Sequence, residues 1–342
     1  MIRTIAIVSL SSGILGELWI RFETDIGFRR LREYGLQVRC MPNALKGQDY
    51  LKAHPEKRAQ DLLDAFRDPE VDMILCAIGG DDTYRLLPYL FERHALADAA
   101  TDKPFLGFSD TTINHLMLHK VGLRTFYGQA FLPDLCELSP EMLPYTRSYF
   151  EELIHTGTIR EVRPSPVWYG ERQSFAPDQV GLPLRAHPDR GFELLQGAPV
   201  FTGKILGGCI DSMYDCFYDE RYADMPSLCR KYHLFPEAEE WKGRILLLET
   251  SEEKPAPDKY RRALEALKNA GVFDHVSGVL VGKPMDEAYD REYRQMLVQV
   301  IDRKDLPVVC NLNVGHAMPR CILPLGTEAT VDAEQQVIRF TV

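Results

Sequence analysis

The chain is expected to fold as a two-domain α/β protein, and three features carry that expectation. Short continuous apolar runs alternate with amphipathic stretches through the first part of the sequence. Between residues 160 and 200 the text changes to proline, glycine, arginine and aromatics without periodicity. Beyond it the strand and helix patterns resume. Apolar runs too short for helices, separated by helical patterns, indicate parallel strands buried on both faces, with helices covering the sheet. With 342 residues, 45% of them hydrophobic, the chain is long enough for two cores. The expected division is an N-terminal α/β domain over 1–160, a linker carrying a long loop over 161–200, and a second α/β domain over 201–342.

Taken in order, residues 4–10 form the first buried strand. They lead straight into Ser11-Ser12-Gly13 without a cleavage region, so they do not read as a signal peptide. Residues 36–41 are a strand, 57–67 an amphipathic helix, 71–78 a strand apolar throughout, and 82–93 a helix. A short strand over 105–108 precedes a helix from 111, whose apolar residues recur at i, i+3, i+4. In the second domain, 203–208, 244–248, 276–281, 308–310 and 330–340 read as strands, and 259–270 and 292–301 as helices. No internal repeat or low-complexity segment is present. Open parallel sheets bind ligands at the carboxyl ends of their strands, so the residues at those ends are where chemistry is sought.

Composition narrows the partners. The formal net charge is −10, with neither a basic stripe nor an arginine-rich tail, which argues against nucleic acid or an anionic membrane and favours a small-molecule or peptide substrate. No apolar run is long enough to cross a bilayer. The 8 cysteines are scattered, several inside apolar runs and none in a CxxC, as expected for reduced thiols of a cytoplasmic protein.

The stretch Gly107-Phe108-Ser109-Asp110 reads as strand, tight turn and helix start. A serine there stands clear of the backbone at the positive end of a helix, whose first N–H groups can stabilise a developing oxyanion. Ser, Thr and Asp are also common helix caps, so Ser109, Asp110 or Thr111 can equally well only cap. A nucleophile needs a base and an orienting group. His115 and His119 lie roughly 9 and 15 Å down the helix axis from Ser109 and head away from the turn. As an HxxxH pair without the acidic residue of HExxH, they also make a weak metal site. His316, in a loop after the strand at 308–310, and Glu249, at the end of Ile245-Leu246-Leu247-Leu248, each occupy another strand end. Alone, one is a loop histidine and the other a solvated strand terminus. Together with Ser109 they are the three residue types an acyl-transfer triad uses.

Ile78-Gly79-Gly80-Asp81-Asp82 is a fourth strand end, lacking both the P-loop and the dinucleotide fingerprints. It is either a plain tight turn or a place where the Gly80 N–H, with that of Asp110, forms an oxyanion hole. Gly79 beside it, and Trp168 in the proline- and glycine-flanked segment, are the candidate substrate-binding residues. An indole there either stacks on a nucleobase or anchors the loop. No metal-ligand spacing is present, so neither metal nor cofactor is expected.

In this order the residues resemble the LD-carboxypeptidases and microcin C immunity peptidases, serine peptidases that share one two-domain fold. The resemblance spans nearly the whole chain. It rests on residues 61–69 leading to Ile78-Gly79-Gly80-Asp81-Asp82, on Arg85-Leu86-Leu87-Pro88-Tyr89-Leu90, on Gly107-Phe108-Ser109-Asp110-Thr111-Thr112, on residues 203–208, on Leu248-Glu249 and on Gly315-His316. It implies Ser109 as nucleophile, His316 as general base and acid, Glu249 as orienting carboxylate, and an oxyanion hole from the Gly80 and Asp110 backbone. It also implies a three-layer, Rossmann-like N-terminal domain resembling class I glutamine amidotransferases, a β-rich C-terminal domain and a cytoplasmic homodimer. The activity implied is metal-independent serine hydrolysis of an amide: release of the terminal D-alanine from a muropeptide tetrapeptide or, nearly level with it, cleavage of an aminoacyl group from a sulfamoyl or phosphoramidate nucleotide. Residues 86–89, the loop around Trp168 and Gly282-Lys283-Pro284-Met285 look more like the immunity branch. A non-catalytic small-ligand-binding protein is the remaining alternative.

Overall fold

The computed structural model describes residues 1–341 and divides into two units. One comprises Met1–Thr158 with Arg172–Leu184, the other Ile159–Glu171 with the chain from Arg185 onward. The fold is two-domain α/β with mainly parallel strands.

In the first unit, β1 (Thr4–Val8), β2 (Gln37–Cys40), β3 (Met73–Cys76), β4 (Phe105–Gly107) and β5 (Thr125–Tyr127) run parallel in the order β5-β4-β3-β1-β2. Every residue of β1, β3, β4 and β5 is buried, which is why these strands read as unbroken apolar runs. The connections run through helices, among them α1 (Arg21–Glu33), α2 (Pro55–Arg67) and α3 (Thr111–Lys120). The strand order reverses direction between β1 and β3, and a doubly wound sheet opens its ligand crevice at the carboxyl ends there. Those ends lead to Ser11 and to Gly79-Gly80, with Ser109 after the adjacent β4.

The expected helix over 82–93 is broken up. Thr83–Leu86 forms a 3-10 turn and Leu87–Phe91 one short α-helical segment, with Pro88 in its first turn, where its missing N–H costs nothing. Left-handed Arg93 and His94 then end it. Helices α1 and α4 (Pro144–Thr156) fall outside the expected elements.

The second unit contains β6 (Glu161–Val162), β7 (Val167–Tyr169), β8 (Ala186–Pro188), β9 (Glu193–Gln196), β10 (Val200–Cys209), β11 (Arg244–Glu249), β12 (Gly278–Gly282), β13 (Val308–Leu312), β14 (Leu323–Leu325), β15 (Glu328–Asp332) and β16 (Val337–Phe340). Its main sheet runs β6-β16-β15-β10-β11-β12-β13-β9. The centre, β10 to β13, is parallel, and antiparallel strands flank it on both sides. Helices α5 (Pro257–Asn269) and α6 (Asp290–Ile301) supply the crossovers. The run at 330–340 is a hairpin rather than one strand: Asp332 accepts the Gln335 N–H at 2.8 Å and left-handed Gln336 closes the turn.

The segment 161–200 is more ordered than a linker with a loop. It contributes β6 and β9 to the main sheet, and β7 pairs with β8 as a separate two-stranded ribbon. Residues 172–184 pack with the first unit. Strands of two to four residues are too short to show alternation, so distant pairing alone defines them.

Candidate active site

The first cluster is built around Ser109. β4 ends at Gly107, and α3 starts at Thr111. Between them Ser109 is left-handed, with φ of 66°, a conformation that non-glycine residues adopt only when their surroundings impose it. The imposition is visible. The Ser109 N–H donates to the Tyr127 hydroxyl at 3.3 Å, and its carbonyl accepts the Thr112 N–H at 2.8 Å. A Cβ on Gly79 would lie 2.6 Å from Ser109 Cβ, 2.8 Å from its Oγ and 3.1 Å from the Asp110 nitrogen. Only glycine fits against the serine there.

Asp110 does not cap its own helix. Its carboxylate accepts the Ser11 hydroxyl at 2.6 Å and the Thr83 N–H at 3.0 Å. Burial pushes this carboxyl up to about 6, against those hydrogen bonds. Ser11 Oγ in turn accepts the Asp82 N–H at 3.2 Å, and Asp82 holds the fully buried Arg58 at 2.5 and 3.2 Å. The network joins the turns after β1, β3 and β4. Gly80 packs on Ser11, where a Cβ would meet the hydroxyl at 2.3 Å. The structure thus brings Gly79, Gly80, Ser109 and Asp110 together, and adds Ser11, Arg58, Asp82 and Thr83. Sequence reasoning gave none of these four a role: Asp82 appeared only within the strand-end motif, and nothing local marks a serine, a threonine or an arginine as a partner of a distant turn.

His115 is structural, as its spacing suggested. Its ring nitrogens lie 2.8 Å from Thr125 Oγ1 and 3.1 Å from the Gly107 carbonyl, and burial lowers it to about 4.

The second cluster centres on Glu249, the last residue of β11, only 1% exposed. Its Oε2 lies 2.7 Å from His316 Nδ1 and also accepts the His316 backbone N–H at 3.2 Å. Gly315 permits this approach. It is left-handed at φ of 90°, and a Cβ there would sit 2.4 Å from Glu249 Oε2. Buried Arg320 pins the loop by donating to the Gly315 and His316 carbonyls. The other ring nitrogen, Nε2, lies 3.0 Å from Oε2 of Glu252, a residue with a 60% exposed side chain. Burial alone would lower the imidazole, but Glu249 and then Glu252 outweigh it and lift the histidine to about 10. The same contact with His316 pulls Glu252 below the usual carboxylate range.

Cys209 ends β10, in register beside Glu249. Burial, then the charges of Glu249 and Asp211, push its thiol far up, so it has no thiolate character at neutral pH.

Trp168 lies on the β7–β8 ribbon rather than in an irregular loop. Its indole stacks on its cross-strand partner His187, with centroids 4.3 Å apart and 16° between planes, and Lys283 Nζ lies 5.3 Å from the ring centre. The Tyr169 N–H donates to the Met318 carbonyl at 2.8 Å, tying the ribbon to the loop that carries His316.

Comparison with known proteins decides the family. The LD-carboxypeptidase N-terminal domain matches residues 5–128 and the LD-carboxypeptidase C-terminal domain matches residues 202–331. A putative carboxypeptidase of Treponema pallidum is 30% identical, over 90% of this chain and 84% of that protein. The chain belongs to the LD-carboxypeptidase family. It is therefore a serine-type hydrolase. Within the family it is similar to the microcin C7 self-immunity protein MccF of Escherichia coli, at 27% identity over 84% of this chain and 78% of that one. The crystal structure of an MccF-like protein from Streptococcus pneumoniae in complex with AMP superposes with a TM-score of 0.99 at 57% identity, covering 100% of this chain and 99% of that chain. Both named branches of the family are thus among its relatives.

Proposed function

We propose that this LD-carboxypeptidase family member hydrolyses an amide with Ser109 as nucleophile, His316 as general base and acid, and Glu249 as orienting carboxylate. The observation that carries the reading is the buried Glu249–His316 pair. A carboxylate on Nδ1 directs the lone pair of the neutral ring to Nε2, the atom that accepts a hydroxyl proton. Ser109 Oγ gives its proton to Nε2 as it attacks the carbonyl carbon. The Gly80 and Asp110 N–H groups meet the resulting oxyanion. The protonated Nε2 then passes its proton to the departing nitrogen, and a water, deprotonated in the same way, releases the acyl group. Glu252 must let go of Nε2 during this cycle, and its exposure leaves room for it to swing away.

The substrate this reading favours is an aminoacyl group in amide linkage to a nucleotide. The 57% identical relative is in complex with AMP, and Trp168 supplies a flat aromatic surface on the ribbon tied to the histidine loop. Release of D-alanine from a muropeptide tetrapeptide is the second reading, supported by the relative named as a carboxypeptidase. Cytoplasmic location and a homodimer belong to the same proposal. Among the described residues no helix is long and apolar enough to cross a membrane.

Incubation with an aminoacyl-sulfamoyl adenosine and, separately, with a muropeptide tetrapeptide tests the proposal. Cleavage of the adenylate at the amide supports the first reading, and cleavage of the tetrapeptide alone moves the substrate to the second. Cleavage of neither, by protein that binds AMP, points to the non-catalytic ligand binder.

A further inference from the structure

Cys209, Glu249 and His316 form a second constellation on the atoms of the proposed triad. Cys209 Sγ, a Glu249 carboxylate oxygen and a His316 ring nitrogen lie within 4.8 Å of one another, and all three residues are buried. They are held by rigid parts of the second unit. Cys209 and Glu249 are registered neighbours at the ends of parallel strands β10 and β11, and Arg320 pins the histidine loop. Thiolate, carboxylate and imidazole are the donor types of tetrahedral zinc sites, whose ligand atoms stand roughly 3.2–3.8 Å apart. Small side-chain adjustments reach that spacing.

We propose that this cluster is an inhibitory site for Zn²⁺, bound by Cys209 Sγ, Glu249 and His316 Nδ1. Two further observations point to a cation. First, Glu252 accepts from His316 Nε2, so the ring already has the arrangement of a metal-ligating histidine, with one nitrogen toward the ligand set and the other donating to a carboxylate. Second, negative charge is in excess. Glu249 and Glu252 face the imidazole and Asp211 Oδ2 lies 3.9 Å from Cys209 Sγ, while Arg320 donates to the Gly315 and His316 carbonyls and Lys259 reaches only the far oxygen of Asp211 at 3.6 Å. On binding, the ion replaces the thiol proton and the Nδ1 proton, both released to water, while Nε2–H stays on Glu252 and no electrons move. The fourth position takes a water. The ion parts Glu249 from His316 and occupies Nδ1, so the ring no longer presents its lone pair at Nε2. That inhibitory consequence rests on the triad reading above, whereas the binding does not.

The test uses the whole protein, freed of metal with EDTA and titrated with Co²⁺ and then Zn²⁺. One Co²⁺ per chain should give a thiolate-to-cobalt charge-transfer band, Zn²⁺ should displace it, and Cys209→Ser should lack it. In parallel, Zn²⁺ should inhibit turnover reversibly, with the inhibition constant raised at least ten-fold in Cys209→Ser. Glu252→Gln, at an exposed position, should weaken Co²⁺ binding by about ten-fold. Absence of the band in the unmodified protein, or its persistence in Cys209→Ser, overturns the site. A band with turnover unaffected by bound Zn²⁺ upholds the site and overturns the triad reading. Loss of turnover in Ser109→Ala with no band upholds the triad and removes the metal.

Discussion

The two clusters hold their key residues by different physics. Ser109 is held by backbone geometry: a left-handed residue between strand and helix, a glycine pressed against it and a buried network running from Arg58 through Asp82 and Ser11 to Asp110. His316 is held by charge: one buried carboxylate on Nδ1, one exposed carboxylate on Nε2, and an arginine on the loop carbonyls. A nucleophile must be placed, whereas a base must be both placed and tuned. The first cluster should therefore fail through structure and the second through electrostatics.

The largest effect tests whether the two act as one unit. Ser109→Ala should lower kcat by roughly four or more orders of magnitude, His316→Ala by a similar factor, and the double variant by little more. Additive losses in the double variant would refute the assignment. The melting temperature of Ser109→Ala should stay within a few degrees, because the hydroxyl contributes little packing. Activity should survive chelators.

The next pair sets stability against turnover. Arg58→Met leaves buried Asp82 with only the 3.7 Å contact to Arg85, and denaturant unfolding should show a loss of about 3 kcal/mol. Glu249→Gln should instead cost about 10³–10⁴ in kcat through the wrong imidazole tautomer, with a loss of stability that, unlike that of Arg58→Met, fades as pH rises through about 10. Stability losses with the same pH dependence in both would erase the distinction.

The pH profile sharpens the electrostatic half. The base works as neutral imidazole, and its carboxylate partners favour the imidazolium, so kcat/KM should still be rising with pH above neutrality. Glu252→Gln removes one of the two charges, and the limb should move to lower pH by about one unit, a modest shift because water screens the exposed carboxylate. A kcat/KM limb that stays in place would show that Glu252 does not hold Nε2 in the free enzyme. A limb that moves for kcat/KM and not for kcat would show that Glu252 leaves Nε2 once substrate binds. With the histidine raised from 6.5 to about 10, its contribution to stability is fully present below about pH 6.5 and is lost as pH rises through about 10.

The smallest effect concerns Trp168. Trp168→Ala should raise KM for an aminoacyl-sulfamoyl adenosine by about ten-fold, as expected for the loss of a base stack, and leave hydrolysis of a small peptide amide nearly unchanged. Equal losses on both substrates, with lower stability, would make Trp168 an anchor of the β7–β8 ribbon through its His187 stack.

The residue types at the strand ends and the parallel strands beneath them were legible in the chain itself. Apolar runs such as Met73–Cys76 report burial on both faces, and the serine, glutamate and histidine interrupt that signal where the strands emerge. The same local signal is silent on partners far away in the chain. Ser11 meets Asp110 across 99 positions, Cys209 reaches Glu249 through strand register, and Glu252 occupies the second nitrogen of a histidine from another loop. Nor does it show that Trp168 lies in a ribbon, since three-residue strands carry no period. Local sequence determines which segments are buried and where they end. Crossover topology and register, set by the packing of the whole sheet, decide which ends meet and hence the conformation and charge of the groups placed there.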